Sequence, residues 1–154
     1  MKRTASLAAA LVIFGFAFAS LADSPATKPA AEPSTQPAVI SVTDQAALKE
    51  KSGFKVTVEG VVDAAEWSSS GKVMNLHFKD VNEDTGIVCC AFSKSKPALD
   101  KAFGGDATKA WSGAKVQITG PLHKYTGKFK AMIGRLQIII QDPDQVKIIE
   151  PAAK

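Results

Sequence analysis

Cysteine is scarce and badly placed for cross-linking: the only two, Cys89 and Cys90, are adjacent. Neighbours in a strand point to opposite faces, so ordinary disulfide geometry is not met without strain, and no further Cys or nearby His completes a metal-ligand set. The pair reads as two separate small apolar residues, one facing in and one facing out. Long apolar runs are missing too. Leu7–Phe18 is 12 residues, whereas spanning a bilayer takes about 20, and no cysteine follows it to take a lipid. Catalytic signatures are also absent: no serine sits in a nucleophile elbow, no glycine-rich phosphate loop follows a strand, and the acids near His77 form no triad. These absences point away from an enzyme, a cofactor or a resident metal, and towards a binding module. Acidic residues, finally, are missing from Ala107 to Gln141, a span that holds Lys109, Lys115, Lys124, Lys128, Lys130 and Arg135.

What is present begins with an address. Lys2 and Arg3 precede the apolar run and small residues follow it, the order of a secretory signal peptide over residues 1–22, with cleavage after Ala19 or Ala22. Residues 23–38 carry prolines at 25, 29, 33 and 37 among alanine, serine and threonine, the composition of an extended, disordered linker. A periplasmic or secreted protein with no membrane anchor after cleavage is expected. Losing Lys2 and Arg3 leaves 17 basic against 15 acidic residues, so the formal charge falls from +4 to +2. Net charge therefore names no partner, and its distribution says more.

Residues 39–150 form the folding domain, and 151–154 a tail. Val39 to Gly53 has the marks of a short helix, capped by Thr43 or Asp44, with Leu48 packing beneath the rest and Gly53 as its left-handed stop. Val56, Val58 and Val62 alternate with Thr57, Glu59 and Asp63 in a first strand, where Gly60 offers a bend. Met74, Leu76 and Phe78 alternate with Asn75 and His77 in a second. Asp80, Asn82 and Asp84 mimic the start of a calcium loop, but the glycine falls one place late and Ala91 stands where the closing glutamate belongs, so a polar turn is expected. A third strand, Gly86–Phe92, leads into a helix entered through Ser95 and Pro97, with Leu99, Ala102 and Phe103 on its buried side, and Trp111 reads as core. A fourth strand runs from Ala114 to Leu122. The turn into the fifth falls at Thr126–Gly127 or at Ile133–Gly134, and Val146, Ile148 and Ile149 close the chain. Three strands, a helix and two strands give an all-β fold with one or two short helices, in the order of a five-stranded OB barrel.

The segments VTVEGVV, NLHF, VQITG and GRLQIIIQDPDQVKII together resemble exported bacterial members of the OB-fold nucleic-acid-binding superfamily, similar to the anticodon-binding domains of transfer-RNA synthetases. The likeness runs from Val39 to Glu150. It implies a ligand face on the second and third strands, bracketed by two loops. Carried onto this chain, that face holds Trp67 and Lys72 in one loop, Asn75 and His77 on the second strand, and His123, Lys124, Tyr125, Lys128 and Lys130 in the late hairpin. Rings there would stack on unpaired bases and lysines would neutralise phosphates. Two partner classes follow: single-stranded nucleic acid or a similar anionic polymer, and alternatively an envelope protein or peptide.

Overall fold

The computed structural model describes residues 38–153; the expected signal peptide, and the linker apart from Ala38, lie outside the described residues. In chain order the elements are β1 (Val39–Ser41), α1 (Gln45–Glu50), β2 (Lys55–Trp67), β3 (Val73–Phe78), β4 (Val88–Phe92), α2 (Lys96–Ala102), α3 (Ala107–Trp111), β5 (Lys115–Pro121), β6 (His123–Lys124), β7 (Leu136–Ile140) and β8 (Val146–Glu150).

β2 organises the sheet because it is long enough to serve two neighbours. Lys55–Val61 pairs antiparallel with β5, and Val62–Trp67 pairs antiparallel with β3. The register slips between Val62 and Ala64. A bulge of this kind moves every later side chain to the other face. Val56, Val58 and Val62 are accordingly buried before it and Ala65 after it. The expected bend at Gly60 is thus displaced to Asp63. Gly60 has a different task, since a Cβ there would collide with the side chain of Val42. Thr57, on the face opposite the valines, is also buried, with its hydroxyl 2.8 Å from that of Thr119.

β3 pairs antiparallel with β4, β4 runs parallel to β7, and β6 pairs antiparallel with β7. β5 and β6 are separated only by Leu122, yet they sit at distant places in the ladder β6-β7-β4-β3-β2-β5-β8. One stretch of chain therefore changes partners at Leu122, whose amide donates to the Phe54 carbonyl (2.9 Å) and whose carbonyl accepts from Gly53 (2.7 Å). The sheet curls round on itself in an OB-like manner. Inside lie Val58, Val62, Met74, Leu76, Cys89, Ile118, Leu122, Ile138 and Ile140, all nearly or fully buried.

Three expectations need correction. Val39–Ser41 is a strand parallel to β2, not the start of a helix, because its branched residues bury Ile40 by pairing along Thr57–Glu59. The helix itself begins at Gln45 with Asp44 as its cap, as expected, the carboxylate accepting from the Ala47 amide (3.0 Å), and Leu48 fills the core. The helix count is three rather than one or two: Asp106 caps α3 by accepting from the Thr108 amide (3.1 Å). Trp111 at the end of α3 is fully buried, with Phe103 edge-on at 5.1 Å. Five strands, lastly, undercounts the eight present among the described residues.

Candidate nucleic-acid interface

The outer face of β3, β4 and β7 is built by strand alternation. Met74, Leu76 and Phe78 turn inward, so Val73, Asn75 and His77 turn outward and are part-exposed. The pairing sets Phe92 beside Val73, Cys90 beside Asn75 and Gln137 beside Val88. These outward residues, His77 excepted, floor a cleft of about 520 Å³, walled on one side by Ser68, Ser70 and Lys72 and on the other by Tyr125, Phe129 and Met132. No carboxylate lines it. Two of its rings are open to solvent, Phe92 at 45% and Phe129 at 73% exposure.

The far wall is a loop held at its base. The Tyr125 amide donates to the Arg135 carbonyl (2.8 Å) and the Gly134 amide to the Tyr125 carbonyl (2.9 Å), so residues 126–133 leave the sheet and return. Gly134 closes the excursion at φ +84°, a left-handed conformation suited to glycine. Of the two expected turns, that at Ile133–Gly134 is the one leading into β7. The Tyr125 ring lies so close over Gly127 that a Cβ there would strike it, and its hydroxyl is 3.4 Å from the Phe129 amide, which donates to it. Tyr125 is thereby oriented by its own loop.

Of the expected contact residues, Lys72, Asn75 and Tyr125 share this cleft. Lys124, Lys128 and Lys130 are exposed on the hairpin that forms its wall. Trp67 is elsewhere. It is the last residue of β2 rather than a loop residue, and the bulge at Asp63 turns it onto the core side, where its Nε1 is buried without a partner and Lys96 Nζ lies 5.5 Å from its ring centre. His77 faces an adjoining hollow with Glu83 and Asp84, its Nδ1 3.7 Å from the Glu83 carboxylate, so that end of the face is acidic. His123 is held between the Pro121 carbonyl (3.3 Å) and Gln137 (2.8 Å) and opens on a different hollow with Lys55 and Asp142.

Sequence reasoning passed over Phe92, Phe129, Met132, Cys90 and Gln137. Phe92 could have been found as the outward residue ending its strand, and Phe129 as the ring between Lys128 and Lys130. Cys90 corrects an expectation in another way. It does face outward, opposite Cys89, but both thiols are buried because the 126–133 loop roofs the outer one. Burial pushes the Cys90 thiol up to about 11 and that of Cys89 higher still, so neither is a thiolate at neutral pH.

Two other polar groupings are structural. Glu59, on the far side of the sheet, accepts from Gln117 (2.8 Å) and pairs with Lys115 (2.9 Å). Those two contacts hold its carboxyl below the usual range, and Glu59 in turn raises Lys115. In the 80–86 turn, Asn82 Oδ1 accepts from the amides of Asp84 (2.8 Å) and Thr85 (3.1 Å). Among the described residues no three His, Cys or carboxylate groups converge as a metal site.

No protein-family model and no curated protein matches the sequence. Among solved structures the chain is similar to one named as an aspartyl-tRNA synthetase of Leishmania major Friedlin, at 11% identity and TM-score 0.49 over 82% of this chain and 24% of that one. It is also similar to an asparaginyl-tRNA synthetase of Entamoeba histolytica, at 22% identity and TM-score 0.45 over 76% and 24%. A third similar structure is an OBody bound to hen egg-white lysozyme, at 19% identity and TM-score 0.43 over 67% and 88%. The chain spans about a quarter of the length of these two synthetase chains.

Proposed function

We propose that this protein is an exported OB-fold module, its curled sheet extended at the flanks by β1 and β8, that binds single-stranded nucleic acid or a similar anionic polymer across β3, β4 and β7. It acts by binding and not by catalysis. The observation that carries the reading is the carboxylate-free cleft in which Phe92, Phe129 and Tyr125 stand with Lys72, while Lys124, Lys128 and Lys130 are exposed on the hairpin beside it. Rings offer every base a stacking face, and the lysines track the phosphates. Phe92 and Phe129 take the part first expected of Trp67, while His77 and His123 contribute little to phosphate binding from where they sit.

The test is fluorescence anisotropy of labelled oligonucleotides at low and moderate salt. Salt-sensitive binding supports the reading. Its absence at tens of micromolar removes it. The apolar lining of Val88, Cys90 and Met132 supports a rival, a peptide-binding module of the envelope. Capture of an envelope protein that survives nuclease treatment, with no oligonucleotide binding, would establish the rival instead.

A further inference from the structure

Gln137 is the most buried polar side chain at the cleft floor, at 9% exposure, and it is not free to turn. Its orientation follows from a short chain of hydrogen bonds. His123 Nδ1 lies 3.3 Å from the Pro121 carbonyl. Two lone pairs facing each other there would repel, so in the neutral ring Nδ1 carries the proton and donates to that carbonyl. Nε2 is then an acceptor. Gln137 Nε2 stands 2.8 Å away and donates to it. An amide that commits its nitrogen to one side offers its oxygen to the other, and Gln137 Oε1 makes no hydrogen bond among the described residues and, unlike the indole nitrogens of Trp67 and Trp111, stays open to solvent. The cleft floor thus carries an acceptor with no acceptor-seeking neighbour, set among Val88, Cys90 and Met132.

An acceptor at the floor of a cleft, which a stacked ligand would cover, is indifferent to stacking but not to what approaches it. A ligand donor satisfies it; a second acceptor is repelled, and a ligand with no donor leaves it stripped of water. We infer that Gln137 is a specificity-determining residue, oriented by His123, which selects stacked bases bearing an exocyclic amino group over bases lacking a donor at that edge. The inference rests on the proposed nucleic-acid reading. It deepens it by naming the ligand class as amino-bearing single strands, adenine or cytosine for example. His123 acts through Gln137 and is a positioning residue.

The experiment compares labelled oligomers of about 12 nucleotides, within the span such a barrel covers. One is oligodeoxyadenosine; the other carries unsubstituted purine, which stacks alike and lacks only the amino group. The intact chain is expected to prefer the amino-bearing oligomer by about threefold to tenfold. Gln137→Met should abolish that preference while keeping the length of the side chain. His123→Phe, which keeps a ring but removes the Nε2 acceptor, should shrink the ratio and leave affinity for the purine oligomer within about twofold. A merely structural His123 would move both affinities together. Equal affinities for the intact chain, or a preference that persists in Gln137→Met, overturns the inference while leaving the binding reading standing. If neither oligomer binds, both fall.

Discussion

If rings hold bases and lysines hold phosphates, the two contributions should come apart under mutation. Truncating Phe92 or Phe129 to alanine removes a stacking face worth about 1 to 3 kcal/mol, so each variant should weaken oligonucleotide binding by about 5-fold to 150-fold. Because Phe129 is 73% exposed and Phe92 45% exposed, folding depends little on either, and the loss should appear in affinity rather than in melting. The lysines should behave differently. Four of them, Lys72, Lys124, Lys128 and Lys130, give a slope of log affinity against log salt of about −2.8, taking about −0.7 per phosphate neutralised on a single strand. Affinity should then fall about 50-fold between about 50 and about 200 mM salt. Replacing Lys128 and Lys130 together by alanine should halve the slope and reduce that fall to about 7-fold. Phe129→Ala should leave the slope where it was. Anisotropy titrations at four salt concentrations, run on the intact chain and these variants, measure affinity and slope at once. Ring variants that bind as tightly as the parent, or lysine variants with an unchanged slope, would refute the assignment of this cleft.

Other outcomes follow from the same geometry. Trp67→Phe should leave oligonucleotide affinity unchanged, since the ring faces the core; a clear loss would put it back at the interface. Trp111→Ala should remove about 3 to 5 kcal/mol from a domain whose total stability is about 5 to 15, a shift of more than 1 M in the urea midpoint at about 2 kcal/mol per molar. Gly60→Ala should lose about 1 to 3 kcal/mol by driving a methyl into Val42, visible as a lowered Tm. The Glu59 carboxyl sits below its ordinary value when folded, so its contribution is present at neutral pH and lost as pH falls through the folded value. Urea midpoints followed from about pH 7 to about pH 3 should therefore drop less steeply in Glu59→Gln than in the parent. Parallel curves would show that the Gln117 and Lys115 contacts add nothing.

Alternation made much of this architecture readable in advance. Val56, Val58 and Val62, then Met74, Leu76 and Phe78, then Leu136, Ile138 and Ile140 are buried as their period implies. Gly53 lies beyond α1 at φ +97°, two residues past the Lys51 cap that ends the helix, and Gly104 and Gly105 lie beyond α2 at +81° and +106°. Events that break a period without a sequence marker were not readable. The bulge at Asp63 moves Trp67 from solvent to core, and nothing in DAAEW announces it. β1 was hidden for a related reason: its helix-like neighbours dominate locally, and only pairing with a strand about 18 residues further on makes it extended. The cleft was half legible. Lys72, Asn75 and Tyr125 came from the expected placement of a ligand face, whereas Cys90 and Gln137 depend on how the 126–133 loop folds back, which is a tertiary event.

That loop has a consequence for how such a protein can change. Its two ends are clasped together by Tyr125, Gly134 and Arg135, so its length and content can drift without disturbing the register of β6 on β7. A lineage could therefore exchange one wall of the recess for another, as a tool takes a new bit, while the chassis beneath keeps its shape.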